Sequence, residues 1–193
     1  MTAEQIAQLL RAAPPSVGPV RLLVVDGPAG SGKTTLAAAV RDALSGADHD
    51  VPVVHGDDLY EGWAVVADAP DRVAAFERLA DRVTSWLLDP WRRGDVARHP
   101  VRDWVADEWG RWVEVPPREF VVLEGVGMAS RRLRAHAALS LWIEVDAPVA
   151  IERVVKRDGE AMRSEIVRWQ HDEARWHALD GTREAADVRL RGE

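Results

Sequence analysis

The 193-residue chain contains no cysteine, which excludes disulfides and thiolate metal sites. It also lacks any apolar stretch long enough to span a bilayer, so no membrane partner is expected. Positive charge is in short supply: 25 Lys and Arg stand against 32 Asp and Glu, for a net charge of −7. That balance argues against a sequence-independent nucleic-acid surface, which needs clustered cations to displace counterions. It leaves room for a small anion in a local basic pocket. Lysine is nearly absent, with only Lys33 and Lys156 among those cations. The histidines, at 49, 55, 99, 136, 171 and 177, show no metal-ligand spacing except His171 and His177, six apart, and no zinc is assigned to them; His55 reads as a solvated or capping residue. The opening Met1-Thr2-Ala3-Glu4-Gln5 lacks the features of a secretory leader, so a cytoplasmic protein is expected.

What is present is an apolar fraction of 47%, enough for one domain with a sizeable core. Thr2 with Gln5 makes a capping-box pattern, and Ile6, Leu9 and Leu10 follow at helical spacing before Pro14-Pro15. This predicts a short docking helix over 2–13. Val20 to Val25 reads as a buried strand, Lys33 to Leu44 as a helix, and Val51 to Val54 as a second strand after a polar turn around Ser45-Gly46. Asp71 to Leu88 carries Val73, Phe76, Leu79, Ala80, Val83 and Leu87 at helical intervals, predicting one long amphipathic helix. Phe120 to Leu123 and Leu139 to Val145 read as strands, Pro148 to Arg157 and Ser164 to His177 as helices, and Asp187 to Leu190 as a last strand. Alternation of this kind implies an α/β fold with a parallel sheet of about five strands covered by helices on both faces. No repeat or linker divides it, so a single domain over 1–193 is expected.

Between the first strand and its helix, Gly27-Pro28-Ala29-Gly30-Ser31-Gly32-Lys33-Thr34-Thr35 fits G-x-x-x-x-G-K-[ST]. A chance match in a chain of this composition is roughly one in a thousand. Glycines 27, 30 and 32 let successive N–H groups and the positive end of the following helix converge on one anion. Gly27, Ala29, Gly30, Ser31, Gly32, Lys33, Thr34 and Thr35 are therefore expected to bind the phosphates of ATP or another nucleoside triphosphate. Lys33 would reach the β- and γ-phosphates and the Thr34 hydroxyl would ligate Mg²⁺. Two acidic positions follow strands beside this loop. Asp57, in His55-Gly56-Asp57-Asp58-Leu59-Tyr60, is the candidate general base, with a capped or solvated turn as the plain alternative. Glu124, in Glu124-Gly125, is the candidate second Mg²⁺ ligand, direct or through water.

In order, GPAGSGKTT, GDDLY, a P-x-x-D-W segment, VVLEGV and ERVVKRD resemble the uridine kinase and phosphoribulokinase branch of P-loop kinases over roughly residues 20 to 160. The resemblance implies a P-loop kinase fold with a short lid over about 157–168. It also implies that Asp57 takes the acceptor hydroxyl's proton, that Tyr60 lines a nucleoside pocket, and that Glu124 helps hold magnesium. The arginines of Arg153-Val154-Val155-Lys156-Arg157-Asp158 would belong to the lid, with Arg157 and Arg163 as its phosphate-facing cations and Arg168 one to two helical turns on. The segment His99 to Asp107 departs from the family, with Arg102 in place of a tyrosine and Asp107 in place of a histidine. Those positions would contact the acceptor, so an anionic acceptor enters the field. The Asp158–Arg163 stretch is also shorter than the family's lid.

Tryptophan is unusually dense, and five of nine, Trp86, Trp91, Trp104, Trp109 and Trp112, fall between residues 86 and 112. The cluster reads either as an acceptor pocket, with Arg102, Trp104 and Asp107 directing the ligand, or as aromatic core or a homodimer contact. The leading functional expectation is a Mg²⁺-dependent transfer of the γ-phosphoryl of ATP to the hydroxyl of a small, nucleoside-like metabolite. A sugar acid such as gluconate or an antibiotic hydroxyl is the runner-up acceptor. A partner-dependent ATP-binding switch is the alternative of another class, though N-K-x-D, a guanine-specificity motif, does not occur.

Overall fold

The computed structural model describes residues 1–45, 50–62 and 73–192. Five parallel strands form one sheet in the order β2-β5-β1-β6-β7: β1 Arg21–Asp26, β2 Val53–His55, β5 Phe120–Glu124, β6 Leu139–Glu144 and β7 Val188–Arg191. β1 lies at the centre, with Leu23 in register with Val122 of β5 on one side and Leu139 of β6 on the other. Its side chains alternate between two cores, as a pleated strand buried on both faces requires. Leu23 and Val25 pack under the helices α1, Ala3–Ala12, and α2, Lys33–Leu44, together with Ile6, Leu10, Ala37, Val40 and Leu44. Leu22 and Val24 pack on the opposite face beneath α3, Val73–Val83, with Phe76, Leu79, Val83 and Trp176.

Local chemistry sets the ends of these elements. Thr2 accepts from the Gln5 N–H at 3.3 Å and Gln5 Oε1 accepts from the Thr2 N–H at 2.8 Å, closing the predicted capping box. The predicted long helix runs past Leu88 to Arg92 through a widened π turn at Thr84–Leu88, where the Asp89 N–H reaches back to the Thr84 carbonyl. Pro90 accounts for that turn, since it has no N–H and its ring crowds the carbonyl four residues earlier. Asp71 and Arg72 of that predicted helix, Gly46 of the predicted turn and His49 lie outside the described residues. After β6 come α4, Ala147–Asp158, and α5, Arg163–Asp180, joined by Gly159 and a single 3-10 turn at Glu160–Met162, and then a short helix, Thr182–Ala185. No helix among the described residues is long and apolar enough to cross a membrane.

The later part of the tryptophan-rich stretch, with Trp104, Trp109 and Trp112, folds as a two-stranded antiparallel hairpin, β3 Ala97–Asp103 and β4 Glu108–Val115, for which the sequence reading assigned no strands. Asp103 turns the chain at its tip by accepting from the N–H groups of Val105 and Ala106, both at 2.9 Å. Asp107 takes the left-handed backbone, φ 52°, that closes the turn.

Candidate active site

The chain leaves β1 through Gly27, Gly30 and Gly32, whose φ angles of 146°, 82° and 95° are closed to ordinary side chains. Packing adds a second constraint at Gly30, where a Cβ would lie 2.4 Å from the Ala150 carbonyl oxygen of α4. The loop therefore presses directly on that helix, and Arg153 of α4 donates to the Gly30 carbonyl at 3.4 Å. Gly32 caps α2 without a side-chain bond, so the first N–H groups of that helix have neither an intrahelical nor a capping acceptor and suit an anion seat. Lys33, nearly buried, curls back over the loop and donates to the carbonyls of Gly27 and Pro28, each at 2.9 Å.

Parallel pairing brings the C-terminal ends of β5 and β2 beside this seat. Thr34 Oγ1 donates to Glu124 Oε1 at 3.0 Å, and His55 Nδ1 meets the same oxygen at 2.6 Å. Hydroxyl and carboxylate are the hard oxygen donors that Mg²⁺ takes beside phosphate, so the two residues fit the expected ion. His55 thus stays partly solvent-exposed at the N-cap position of the following turn, without a side-chain cap bond, while its ring pairs with the carboxylate. Its hydrogen bond to Glu124 raises its pKa against the opposing effect of burial. Strand-end position alone could not reveal this partnership, which follows from the β2–β5 register, His55 opposite Glu124.

Asp57 stands, exposed, on the 3-10 turn Gly56–Leu59 that follows β2. Crowding by protein atoms raises its pKa, and the charges of Lys33 and Arg157 oppose that rise. The candidate base and two candidate phosphate-binding cations thereby share one electrostatic site. Asp58 is raised as well, chiefly by desolvation, against the attraction of His55, His99 and Arg111. The hairpin closes on this turn: Trp104 Nε1 donates to the Asp57 carbonyl at 3.1 Å.

Other expected site residues take different places. Tyr60 is buried, donates to the Val126 carbonyl at 2.9 Å and packs edge-on against Phe76 and Trp169, so its ring belongs to the core. Arg102 is buried, ion-paired with Asp107 and lies over the Trp109 ring at 5.5 Å. Its charge is already matched within the hairpin, which removes the reason to expect an anionic acceptor from that residue. Arg157 forms a bidentate pair with Asp158 at 2.6 and 2.7 Å, and Arg163 is held by Glu152 and Glu160. Of the tryptophans, Trp91 is core, donating to the Val115 carbonyl at 3.0 Å, Trp86 and Trp109 pack edge to face, and Trp112 is exposed.

Behind the loop lies a polar layer that the sequence reading missed. Asp26, fully buried, accepts from the N–H groups of Gly27 at 2.7 Å, Gly127 at 3.1 Å and Ala129 at 2.8 Å, and from His177 Nε2 at 3.2 Å. Burial would raise its pKa, but the charge and hydrogen bond of His177 and the backbone donors together lower it. Glu173 of α5 lies on the N–H of Ala29. The available signal was the spacing Ile166, Trp169, Gln170, Glu173, Trp176, His177, an inward helical stripe in which three of six residues are polar.

A family described as the AAA ATPase domain matches residues 2–148. No curated protein matches the chain. Among solved structures, a possible uridine kinase from Bacillus stearothermophilus is 19% identical, with 97% of this chain and 96% of that one covered at a TM-score of 0.71. A candidate fructose transport system kinase from Silicibacter sp. TM1040 is 23% identical, with 98% and 99% covered at 0.70. YFH7 of Saccharomyces cerevisiae, described as a P-loop kinase candidate with a circular permutation, is 12% identical, with 99% and 98% covered at 0.59. At these identities the likeness is one of fold, and it agrees with the strand order and phosphate loop described above. The protein has the P-loop kinase fold and, with about three quarters of its length matched, belongs to the AAA ATPase domain family.

Proposed function

We propose that the protein transfers the γ-phosphoryl group of ATP to a hydroxyl of a small metabolite, with a nucleoside-like acceptor favoured. The observation that carries this reading is the placement of Asp57 within the electrostatic reach of Lys33, Glu124 and Arg157, as a carboxylate distinct from the one that Thr34 engages. A loop that only binds a nucleotide needs no such second carboxylate. A kinase needs one to accept the proton of the attacking hydroxyl.

In this reading the loop from Gly27 to Thr35 cradles the phosphates, except at Ala29, whose N–H is taken by Glu173 and so does not serve as the phosphate donor expected of it, and Lys33 reaches the γ-phosphoryl. Thr34 and Glu124 would hold Mg²⁺, which supplies charge neutralisation at the β- and γ-phosphates. Asp57 takes the acceptor proton, and Arg157 stabilises charge on the transferring group once nucleotide draws it from Asp158. Trp104 fixes the Asp57 turn through its bond to the Asp57 carbonyl, and the acceptor would approach the exposed side of that turn. The likeness to a possible uridine kinase supports the nucleoside-like class.

The test is Mg·ATP-dependent phosphorylation of a panel of nucleosides, sugars, sugar acids and antibiotics, read as ADP release with product mass. A phosphorylated nucleoside is expected. The match to the AAA ATPase domain supports a second reading, a partner-dependent ATPase. ATP binding with no acceptor product, and hydrolysis stimulated by a protein partner, would replace the first reading with the second.

A further inference from the structure

Ala29 sits at the crest of the phosphate loop, and both polar groups of its backbone are taken by one helix. Its N–H donates to both carboxylate oxygens of Glu173, at 3.1 and 3.2 Å. Its carbonyl accepts from Gln170 Nε2 at 3.3 Å. Gln170 and Glu173 are three residues apart on α5, so they project from one face. Glu173 is 1% exposed. Desolvation is the main influence on it and raises its pKa to about 7, with Lys33, the Ala29 N–H and His177 pulling it down and Asp26 pushing it up. Tyr60 also faces it and stays neutral in this range, being raised well above its ordinary value. A cavity of about 530 Å³, lined among others by Pro28, Gln170, Glu173 and His177, opens beside the pair and gives water a route to it.

We propose that Gln170 and Glu173 are positioning residues that clamp the phosphate loop at Ala29, and that nucleotide binding there is coupled to proton uptake by Glu173. The inference rests on the loop's reading as a nucleotide site. A polyphosphate entering beside Lys33 competes with Glu173 for the same positive charge, because two anions in one poorly screened site raise each other's pKa. The protonated carboxyl still offers its carbonyl oxygen to the Ala29 N–H. Protonation therefore removes the repulsion while keeping the clamp, and the bound state selects it.

The experiment is calorimetric titration of the full chain with Mg·ATP at pH 6.0 to 8.5, in buffers of different ionisation enthalpy, for wild type, Glu173→Gln and Glu173→Ala. Amide exchange of the loop peptide is measured in the nucleotide-free proteins. For the wild type, proton uptake and an affinity loss of about tenfold across the range are expected, the size of a one-unit pKa shift. Glu173→Gln mimics the protonated side chain, so uptake should shrink and affinity at pH 8.5 should exceed the wild type's. Part of any pH dependence belongs to ATP itself, and that part persists in the variant. Loop exchange should speed up in Glu173→Ala and remain slow in Glu173→Gln. Equal proton uptake in wild type and Glu173→Gln, or equal loop exchange in all three proteins, overturns the proposal. Failure of the wild type to bind Mg·ATP at any pH rejects the nucleotide reading and the proton coupling with it, and loop exchange then decides the clamp alone.

Discussion

Replacing Asp26 with asparagine isolates what the buried carboxylate behind the loop contributes. Oδ1 receives three donors, from Gly27, Gly127 and His177, and Oδ2 receives the fourth, from Ala129. In its better orientation an asparagine oxygen keeps the first three, but its NH₂ then points at the Ala129 N–H, donor against donor. A buried backbone donor left without an acceptor costs about 1–3 kcal/mol. The three surviving bonds lose their charge assistance, at roughly 1 kcal/mol each. Relief from burying a charge offsets several kcal/mol of that total, leaving an expected net loss of about 2–4 kcal/mol. The assay is urea denaturation followed by tryptophan fluorescence, with the midpoint falling at unchanged slope. The folded-state pKa of Asp26 lies below its ordinary 3.8, so its ionic contribution is fully present above that value and drains away as pH falls through the folded pKa. The gap between wild type and variant should therefore narrow below about pH 4. A loss under about 1 kcal/mol at neutral pH, or a gap that widens in acid, would refute the reasoning.

Lys33→Ala should abolish nucleotide-dependent turnover, and near-normal turnover in that variant would reject the assignment of the loop. Asp57→Asn should still bind ATP in a calorimetric titration yet lose transfer by roughly two orders of magnitude or more. Because the Asp57 pKa is raised, with desolvation leading, wild-type transfer should decline in acid at a pH above the ordinary carboxylate value of 3.8, as the base becomes protonated. Gly30→Ala should weaken nucleotide binding at least tenfold and lower the denaturation midpoint, since a Cβ there meets the Ala150 carbonyl oxygen at 2.4 Å and the φ of 82° is strained for alanine. Unchanged affinity would show that loop and α4 do not depend on each other.

The phosphate loop and the buried strands were legible because each is written locally. Three glycines, a lysine and a threonine stand at fixed spacing, and runs such as Phe120 to Leu123 have no polar residue to interrupt them. The hairpin was not legible for the opposite reason. β3 contains Pro100 and the charged Arg98, Arg102 and Asp103, and β4 is almost wholly exposed. Neither strand shows an apolar alternation, and their pairing rests on backbone bonds, the Asp103 turn and charged cross-strand contacts such as Arg98 with Glu114 and Arg102 over Trp109. Tyr60, placed by resemblance in an acceptor pocket, is drawn into the core because Phe76 and Trp169 offer its ring edge-on partners and Val126 satisfies its hydroxyl. Polarity was the misleading cue for Gln170, Glu173 and His177, which point inward because the Ala29 backbone gives Gln170 and Glu173 partners and the Asp26 carboxylate gives His177 one.

The strand order also governs when the site comes into being as the chain folds. Helix α2 and its loop are encoded within some twenty residues, whereas β1 pairs with β5 across about a hundred residues of intervening chain. Closing a loop of that length before any contact rewards it is slow. Glu124 cannot meet Thr34 until that closure is complete. The anion seat can therefore form early while its carboxylate side arrives late, and a nucleotide with its metal would act on refolding at the closing step, slowing the reverse unfolding more than it speeds collapse.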